Sequence, residues 1–149
     1  MGRRAEVAAR GFTLVELVVT LFLIALALAL VAPAIGRSTE TVRARAEVAG
    51  FSAALRHARE RAITTREPRT VVVEPAAGRL TIRTGDDAVE RARPLAPQLA
   101  VEALSPTGLS VRFEPYGTSS GGAFRLSVGG VTYRVSVDPI TGRVRNTRE

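Results

Sequence analysis

The first quarter of the chain is dominated by one continuous apolar stretch. Residues 17–36 carry no charge, and 17 of these 20 positions are apolar. As a helix, such a stretch would measure about 30 Å, which matches the hydrocarbon core of a bilayer. The pattern therefore predicts a transmembrane helix, which we place at residues 12–36, after a short polar segment at residues 1–11.

Beyond the apolar stretch, the apolar residues change to a helical spacing. They recur every three or four positions, which predicts an amphipathic helix over residues 37–67 with one apolar stripe. Proline disfavours helix at the residue before it, so Pro68 should stop this helix by Thr65 or Glu67. The predicted stripe consists of Ala44, Val48, Phe51, Leu55, Ala58 and Ala62.

From residue 68 onward, apolar and polar residues alternate, which is typical of half-buried strands. The segment at 86–93 is rich in charged residues, which fits either a loop or an edge strand. The predicted fold class is α+β, with a long N-terminal helix, transmembrane and then amphipathic, packed against a small antiparallel β-sandwich head at 68–149. Strands are predicted at residues 70–74, 79–83, 99–104, 109–113, 124–128, 131–137 and 143–145.

Composition narrows the possible functions. The 21 basic residues are all arginine and exceed the 14 acidic residues, which gives a net charge of +7. This excess indicates either an anionic partner, such as nucleic acid or acidic lipid, or a coding bias toward arginine. With no cysteine and one histidine, His57, the chain cannot form disulfides, cysteine-based zinc sites or histidine clusters. Because His57 lies on an arginine-rich helical face, we expect it to be solvated rather than catalytic.

The head offers few candidates for chemistry. Ser119 and Ser120 stand beside two glycines, but there is neither a G-x-S-x-G motif nor a P-loop lysine, so a flexible turn is the simpler interpretation. Asp86, Asp87 and Glu90 do not follow the spacing of an EF-hand loop. We therefore expect no catalytic residue, no metal site and no cofactor, and we do not interpret the chain as an enzyme.

Three arginines, Arg143, Arg145 and Arg148, occupy the C-terminal tail. On a strand, Arg143 and Arg145 project from the same face, where their guanidinium groups could contact phosphates. The alternative interpretation is a solvated edge strand whose charges prevent aggregation. The tail has no interleaved aromatic residues for base stacking, so any contact with DNA would be independent of sequence and sensitive to salt.

A single carboxylate, Glu16, lies at the start of the apolar segment. Near the centre of a bilayer an acid costs roughly 2.5–3.5 kcal/mol, and less near the end of a span. Three interpretations compete: a secretory signal peptide cleaved near residues 32–34, a permanent anchor, or a pilin-type signal cleaved before the apolar stretch. Only the third interpretation gives the Glu16 carboxylate a role. Cleavage after Gly11 would create an amine at Phe12, and such an ammonium, most usefully that of a neighbouring subunit, could neutralise Glu16.

The N-terminal motif resembles the class III signal of type IV pilins and type II secretion pseudopilins. It reads Gly11-Phe12-Thr13-Leu14-Val15-Glu16-Leu17 and is followed by the apolar run. The resemblance implies that prepilin peptidase, which is also an N-methyltransferase, cleaves after Gly11 and methylates Phe12. It further implies that Glu16 is the assembly residue and that Pro33 kinks or locally melts the stem helix, since proline lacks the N–H donor.

Three further segments resemble the H-type minor pseudopilins and the related FimT group, namely residues 52–63, 113–122 and 138–145. This resemblance implies a minor pseudopilin of a type II secretion system, assembled with other major and minor pseudopilins near the tip of a periplasmic pseudopilus. It implies a single pass through the inner membrane, in contact with its lipid, and a periplasmic head. The alternative is a FimT-like minor pilin of a type IV pilus, with DNA bound at the arginine tail.

Overall fold

The computed structural model describes the backbone of residues 12–149 and the side chains of residues 12–30 and 40–149. The first element is one α-helix of 52 residues, α1 (Leu14–Thr65). It ends where we predicted, because Arg66 takes a positive φ of 57° and Pro68 follows closely. The chain divides into two compact units after Ser38, so α1 contributes to both of them.

The first unit contains the apolar half of α1. Its large apolar side chains, from Phe12 to Leu30, are all exposed. In the stretches with described side chains, residues 12–30 and 40–149, no helix is sufficiently long and apolar to cross a membrane. The predicted transmembrane span is therefore not confirmed.

The second unit, which runs from Thr39 to Glu149, contains the rest of α1 and two antiparallel sheets of four strands each. The strand orders are β3-β2-β1-β5 in the first sheet and β4-β6-β7-β8 in the second. The strands are β1 (Arg69–Glu74), β2 (Arg79–Arg83), β3 (Val89–Pro94), β4 (Leu99–Ala103), β5 (Ser110–Phe113), β6 (Gly122–Val128), β7 (Val131–Val137) and β8 (Val144–Arg148).

The predicted fold class is confirmed, and most strands lie within one or two residues of their predicted positions. The charged segment at 86–93 begins as a turn at 86–88 and continues as an edge strand, because β3 pairs with β2 alone. The last strand is longer than predicted and reaches Arg148, which pairs with Tyr133 on β7. Gly129 and Gly130 form the turn of the β6–β7 hairpin, as their sequence predicts.

The core of the second unit lies between the helix and the inner faces of both sheets. All six residues of the predicted apolar stripe are buried, together with inward-facing residues of both sheets. Phe51 of α1 meets Phe124 of β6 edge to face, with ring centroids 5.4 Å apart. Ser52, also buried, donates a hydrogen bond of 2.8 Å to Asn146 on β8. The part of α1 from Thr39 onward is thus an integral part of the second unit.

Candidate assembly and anion-binding sites

The predicted assembly residue, Glu16, lies in the first turn of α1. The Thr13 side chain accepts a hydrogen bond of 3.2 Å from the backbone N–H of Glu16, and Thr13 therefore caps the helix. A threonine followed three residues later by glutamate is the sequence pattern of a helix start. The Glu16 carboxylate is exposed in the first turn, where its charge complements the positive end of the helix dipole.

The other predicted N-terminal residues are placed only in part. Phe12 directly precedes the capping residue and is 72% exposed. Gly11 lies outside the described residues, so cleavage after it stays a prediction. Pro33 lies within α1, whose helical backbone is continuous at that point, and the predicted kink also stays a prediction.

Two loops that carried the family resemblance lie side by side in the head. Ser119 donates its backbone N–H to the carbonyl of Pro139 at 2.8 Å, and its hydroxyl donates to the carbonyl of Asp138 at 3.0 Å. The hydroxyl of Ser120 accepts a bond of 3.1 Å from the backbone N–H of Arg112. Ser119 therefore joins the two loops, whereas Ser120 ties its own loop to β5.

Arg59 of α1 fastens the second of these loops, residues 138–145, to the helix. Its Nε donates a bond of 3.0 Å to the carbonyl of Thr141. Gly142 has φ of +62°, and a Cβ there would lie 2.5 Å from the carbonyl oxygen of Gly117 and 2.8 Å from Arg59 Nε. Only glycine fits at position 142 without displacing backbone. We did not predict this clasp from the sequence, although an arginine and two loop glycines are visible there.

Two large apolar side chains project from the clasped loops. Tyr116 is 95% exposed and Ile140 is 78% exposed. The loop that carries Ile140 is further stiffened by Asp138, whose carboxylate accepts bonds from the backbone and side chain of Thr141 at 2.8 and 2.9 Å. These bonds lower the pKa of Asp138 below its ordinary value.

The arginine tail forms part of a cationic cleft. Arg143 and Arg145 line a cleft of about 450 Å³ together with Arg56 and Arg59 of α1. Within the part of the chain that the structure describes, Arg56, Arg143 and Arg145 form no ion pair. Arg148 does not line this cleft. The structure therefore unites two of the three predicted tail residues and adds two helix arginines that the sequence pattern did not single out.

The acidic residues at 86–90 are engaged in other contacts. Glu90 bridges Arg61 and Arg69 at 2.7 and 2.6 Å, and the side chain of Arg69 is almost fully buried. Burial acts to raise the pKa of Glu90, but hydrogen bonds and charge from the two arginines outweigh it and lower the pKa. Asp87 pairs with Arg83. Among the described residues, no three acids or histidines are grouped so that they could hold a metal ion.

His57 is less solvated than its arginine-rich surroundings suggested. Its side chain is half-buried and lines a cavity between α1 and the first sheet. The described residues place no carboxylate against it as a hydrogen-bond partner, and the nucleophile candidates Ser119 and Ser120 do not line this cavity.

Comparison with known families and relatives identifies two regions of similarity. Residues 47–142 match the family model described as Type II transport protein GspH. Residues 8–32 match the prokaryotic N-terminal methylation motif. The Type II secretion system protein H of Xanthomonas campestris pv. campestris is 32% identical over 142 residues, which cover 92% of this chain and 82% of that protein.

Two solved structures share the fold. The type IV minor pilin FimU of Pseudomonas aeruginosa superposes with a TM-score of 0.62 at 18% identity, covering 73% of this chain and 91% of FimU. The minor pseudopilin EpsH from the Type 2 Secretion System of Vibrio cholerae superposes with a TM-score of 0.55 at 16% identity, covering 73% of this chain and 96% of EpsH.

Proposed function

Because the chain belongs to the GspH family of type II transport proteins, and so is a minor pseudopilin of type II secretion, we propose how its N-terminal motif serves assembly. Prepilin peptidase cleaves after Gly11 and methylates the new amine of Phe12. The matured subunit then joins other pseudopilins, near the tip of the periplasmic pseudopilus, by pairing Glu16 with the amine of a neighbouring subunit. Family membership and the methylation motif at residues 8–32 support this proposal.

The observation that carries the proposal is the isolated carboxylate at the start of an uncovered apolar helix. Glu16 lies in the first turn of α1, and the large apolar side chains from Phe12 to Leu30 are all exposed. Within the described part of the chain Glu16 forms no ion pair. A charge in apolar surroundings needs an opposite charge, and a neighbouring subunit's terminal ammonium supplies one.

The same exposed helix supports the proposed location. An apolar surface of this extent has to be covered by lipid or by other apolar helices. Before assembly, residues 12–36 cross the inner membrane once, with Pro33 providing a kink, and the head lies in the periplasm. During assembly the same surface passes from lipid to the helices of neighbouring subunits.

The proposed role is structural rather than enzymatic. The hydroxyl of the candidate nucleophile Ser119 bonds the neighbouring loop, and that of Ser120 bonds the backbone of β5. The Glu90 carboxylate is occupied by two arginines. A protein whose polar side chains serve its own turns and ion pairs is suited to present surfaces to partners, and it is itself the substrate of the peptidase.

The experiment that tests the proposal follows maturation in cells that contain prepilin peptidase. Gly11→Leu should leave the full-length precursor uncut, because the bulky side chain occupies the position before the scissile bond. N-terminal sequencing of the unmodified protein should begin at a methylated Phe12. Gly2→Leu, a glycine substitution in the same leader, serves as the matched control and should be trimmed normally.

Two results would overturn this proposal. The first is trimming of the Gly11→Leu precursor at the same bond. The second is a mature N-terminus beyond the apolar segment, as a secretory signal peptidase would produce. Either result would remove the amine that the pairing with Glu16 requires.

A second candidate function, nucleic-acid binding, is favoured by the cationic cleft and by the fold shared with a type IV minor pilin. Four arginines from α1 and the tail converge there, and each guanidinium can donate to a phosphate. The candidate is a FimT-like minor pilin that binds DNA at Arg143 and Arg145. Binding would be independent of sequence, since phosphates alone are contacted.

A gel-shift titration of the head, residues 39–149, against duplex DNA tests the second candidate. The double variant Arg143→Ala, Arg145→Ala should reduce the slope of log affinity against log salt by about 2, since each lost phosphate contact removes about 0.9. Arg79→Ala, an exposed arginine on β2, is the control. Absence of any shift at low salt would exclude nucleic-acid binding by the head.

A further inference from the structure

A cavity of about 410 Å³ lies between the amphipathic half of α1 and the first sheet. Small residues on one side of the helix form its first wall, at successive positions of one helical face. Residues of β2 and β3 form the opposite wall. The lining consists of Gly50, Ala53, Ala54, His57, Leu80, Ile82, Arg91 and Arg93.

Two arginines stand on the face of the sheet that packs toward the helix. Arg91 lies opposite Ile82 and Arg93 lies opposite Leu80 in the β2–β3 register. Directly opposed residues of an antiparallel pair point to the same face, so both arginines share the face of two buried apolar residues. A strand packed only for stability would carry apolar residues at these positions.

Gly50 makes room for one of these arginines. A Cβ at position 50 would lie 2.3 Å from Nη2 of Arg93 and 2.7 Å from its Nη1. The guanidinium of Arg93 therefore lies directly against the helix backbone. Glycine in a helix interior is less favourable than alanine. Gly50 stands where any side chain would displace the guanidinium of Arg93 from the cavity wall.

The charge of this cavity is not balanced within the described residues. Arg93 pairs with Glu47 through Nη2 at 3.2 Å, but its Nη1 is buried and has no acceptor among them. Arg91 is exposed and forms no ion pair with any described residue. A buried donor without an acceptor is destabilising. An incoming carboxylate would face the accessible part of the Arg93 side chain, the Arg91 guanidinium and His57.

Protection of the sheet edge does not account for this arrangement. Inward-pointing charges on an edge strand do discourage the pairing of sheets. Edge protection requires neither a glycine on the facing helix beside the arginine nor an apolar lining that is open to solvent. Ala53, Ala54, Leu80 and Ile82 provide such a lining, which suits the apolar side chain next to an acid rather than an inorganic anion.

We propose that this cavity is a docking site for an acidic side chain of a neighbouring pseudopilin, carried on a segment in which an apolar residue adjoins the acid. Charge complementarity argues for this occupant, because the second unit carries 17 arginines against 12 acidic residues and an acidic surface complements it. The proposal rests on the proposed function, since it needs neighbouring subunits in a filament. It adds a second contact, in the head, to the contact made by Glu16.

The test is site-specific photocrosslinking of the full-length chain in cells that contain the complete secretion system. A photoreactive p-benzoylphenylalanine replaces Ala53, which is exposed at the cavity rim. The expected product joins another pseudopilin at a segment with an acid beside an apolar residue. Its yield should fall about tenfold or more in the Arg93→Glu background, since a charge-assisted bond is lost and repulsion replaces it.

Two further backgrounds make the result specific. Arg91→Glu alters an exposed arginine without an ion pair, so it should fold normally and should also reduce the yield. Arg79→Glu alters an exposed arginine of β2 that does not line the cavity, and the yield should stay unchanged. Equal yields in the Arg91→Glu and Arg79→Glu backgrounds would overturn the proposal, and so would crosslinks to lipid alone.

A second photoreactive position separates this proposal from the proposed function. Crosslinking from Leu21, in the exposed apolar half of α1, reports stem packing and should persist in all three backgrounds. Crosslinks from Leu21 without any from Ala53 would overturn the docking site and leave the proposed function intact. Loss of both in the unmodified protein would overturn the proposed function and the docking site with it.

Discussion

The two halves of α1 present the same kind of residue to opposite surroundings. From Phe12 to Leu30 every large apolar side chain is exposed, whereas from Ala44 to Ala62 the apolar stripe is buried. The second half therefore finds its apolar partners in the two sheets of its own head. The first half finds none within the described residues of its own chain.

This difference separates the factors that should control stability from those that should control assembly. Substitutions in the buried half should change the free energy of unfolding of the head and leave attachment of the stem unaffected. Substitutions in the exposed half should do the reverse. The following variants test this separation, beginning with the largest expected effect.

Glu16→Ala should abolish incorporation into pseudopili while the protein stays attached to the membrane. Glu16 is the only charged residue among residues 12–36, so without its carboxylate this segment cannot pair with the amine of a neighbouring subunit. Fractionation of membranes and sheared pseudopili measures both outcomes, and Thr20→Ala, one turn further along the same face, is the control. The thermal midpoint of the head should not change. Normal incorporation of Glu16→Ala would contradict the proposed pairing.

Phe51→Ala should destabilise the head by about 3–5 kcal/mol, because the ring is fully buried and packs against Phe124. Urea denaturation of residues 39–149 measures the loss. Val42→Ala removes apolar atoms from the same helix, but this side chain is 61% exposed, so the change should stay within about 0.5 kcal/mol. Similar losses in both variants would mean that this part of the helix is not an integral part of the core.

Gly142→Ala should destabilise the head by about 2 kcal/mol, because alanine is disfavoured at positive φ and its Cβ would meet the carbonyl of Gly117. Gly130→Ala is a suitable control, since a Cβ there would meet no atom within 4 Å. Thermal unfolding of the two variants measures the difference. An unchanged midpoint for Gly142→Ala would show that the clasp around Arg59 does not constrain the loops.

Glu90→Gln should have the smallest effect, about 1 kcal/mol at neutral pH, because the neutral amide keeps part of the hydrogen bonding to Arg69. The pKa of Glu90 is lowered in the folded head, so its stabilising contribution is present above pH 4.5 and is lost as the pH falls through the folded pKa. Unfolding curves from pH 7 to 3 should therefore be less pH-dependent in the variant. An identical pH dependence would contradict this assignment.

Local patterns were sufficient to predict most of the fold. The apolar stripe predicted the face of α1 that is buried, Pro68 predicted its end, and alternation predicted the strands, because each of these signals acts over a few neighbouring residues. Resemblance of the motif around Glu16 supplied the family. The segments at residues 52–63, 113–122 and 138–145 then narrowed the family to the H-type minor pseudopilins.

The sites in the head could not be predicted in the same way. The cavity depends on Gly50 and Arg93, and the clasp depends on Arg59 and Gly142, which are far apart in sequence. A lone glycine within a helical pattern indicates a close approach, but it does not name the approaching residue. For Gly50 the approaching residue is Arg93, which is known only once the register between β2 and β3 is fixed.

The clasp around Arg59 has a consequence for how the head meets other molecules. Since Gly117 and Gly142 close around one guanidinium, their loops cannot shift independently. Tyr116 and Ile140 are thereby carried on loops that hold each other in place, and a partner that contacts them has little loop entropy to overcome.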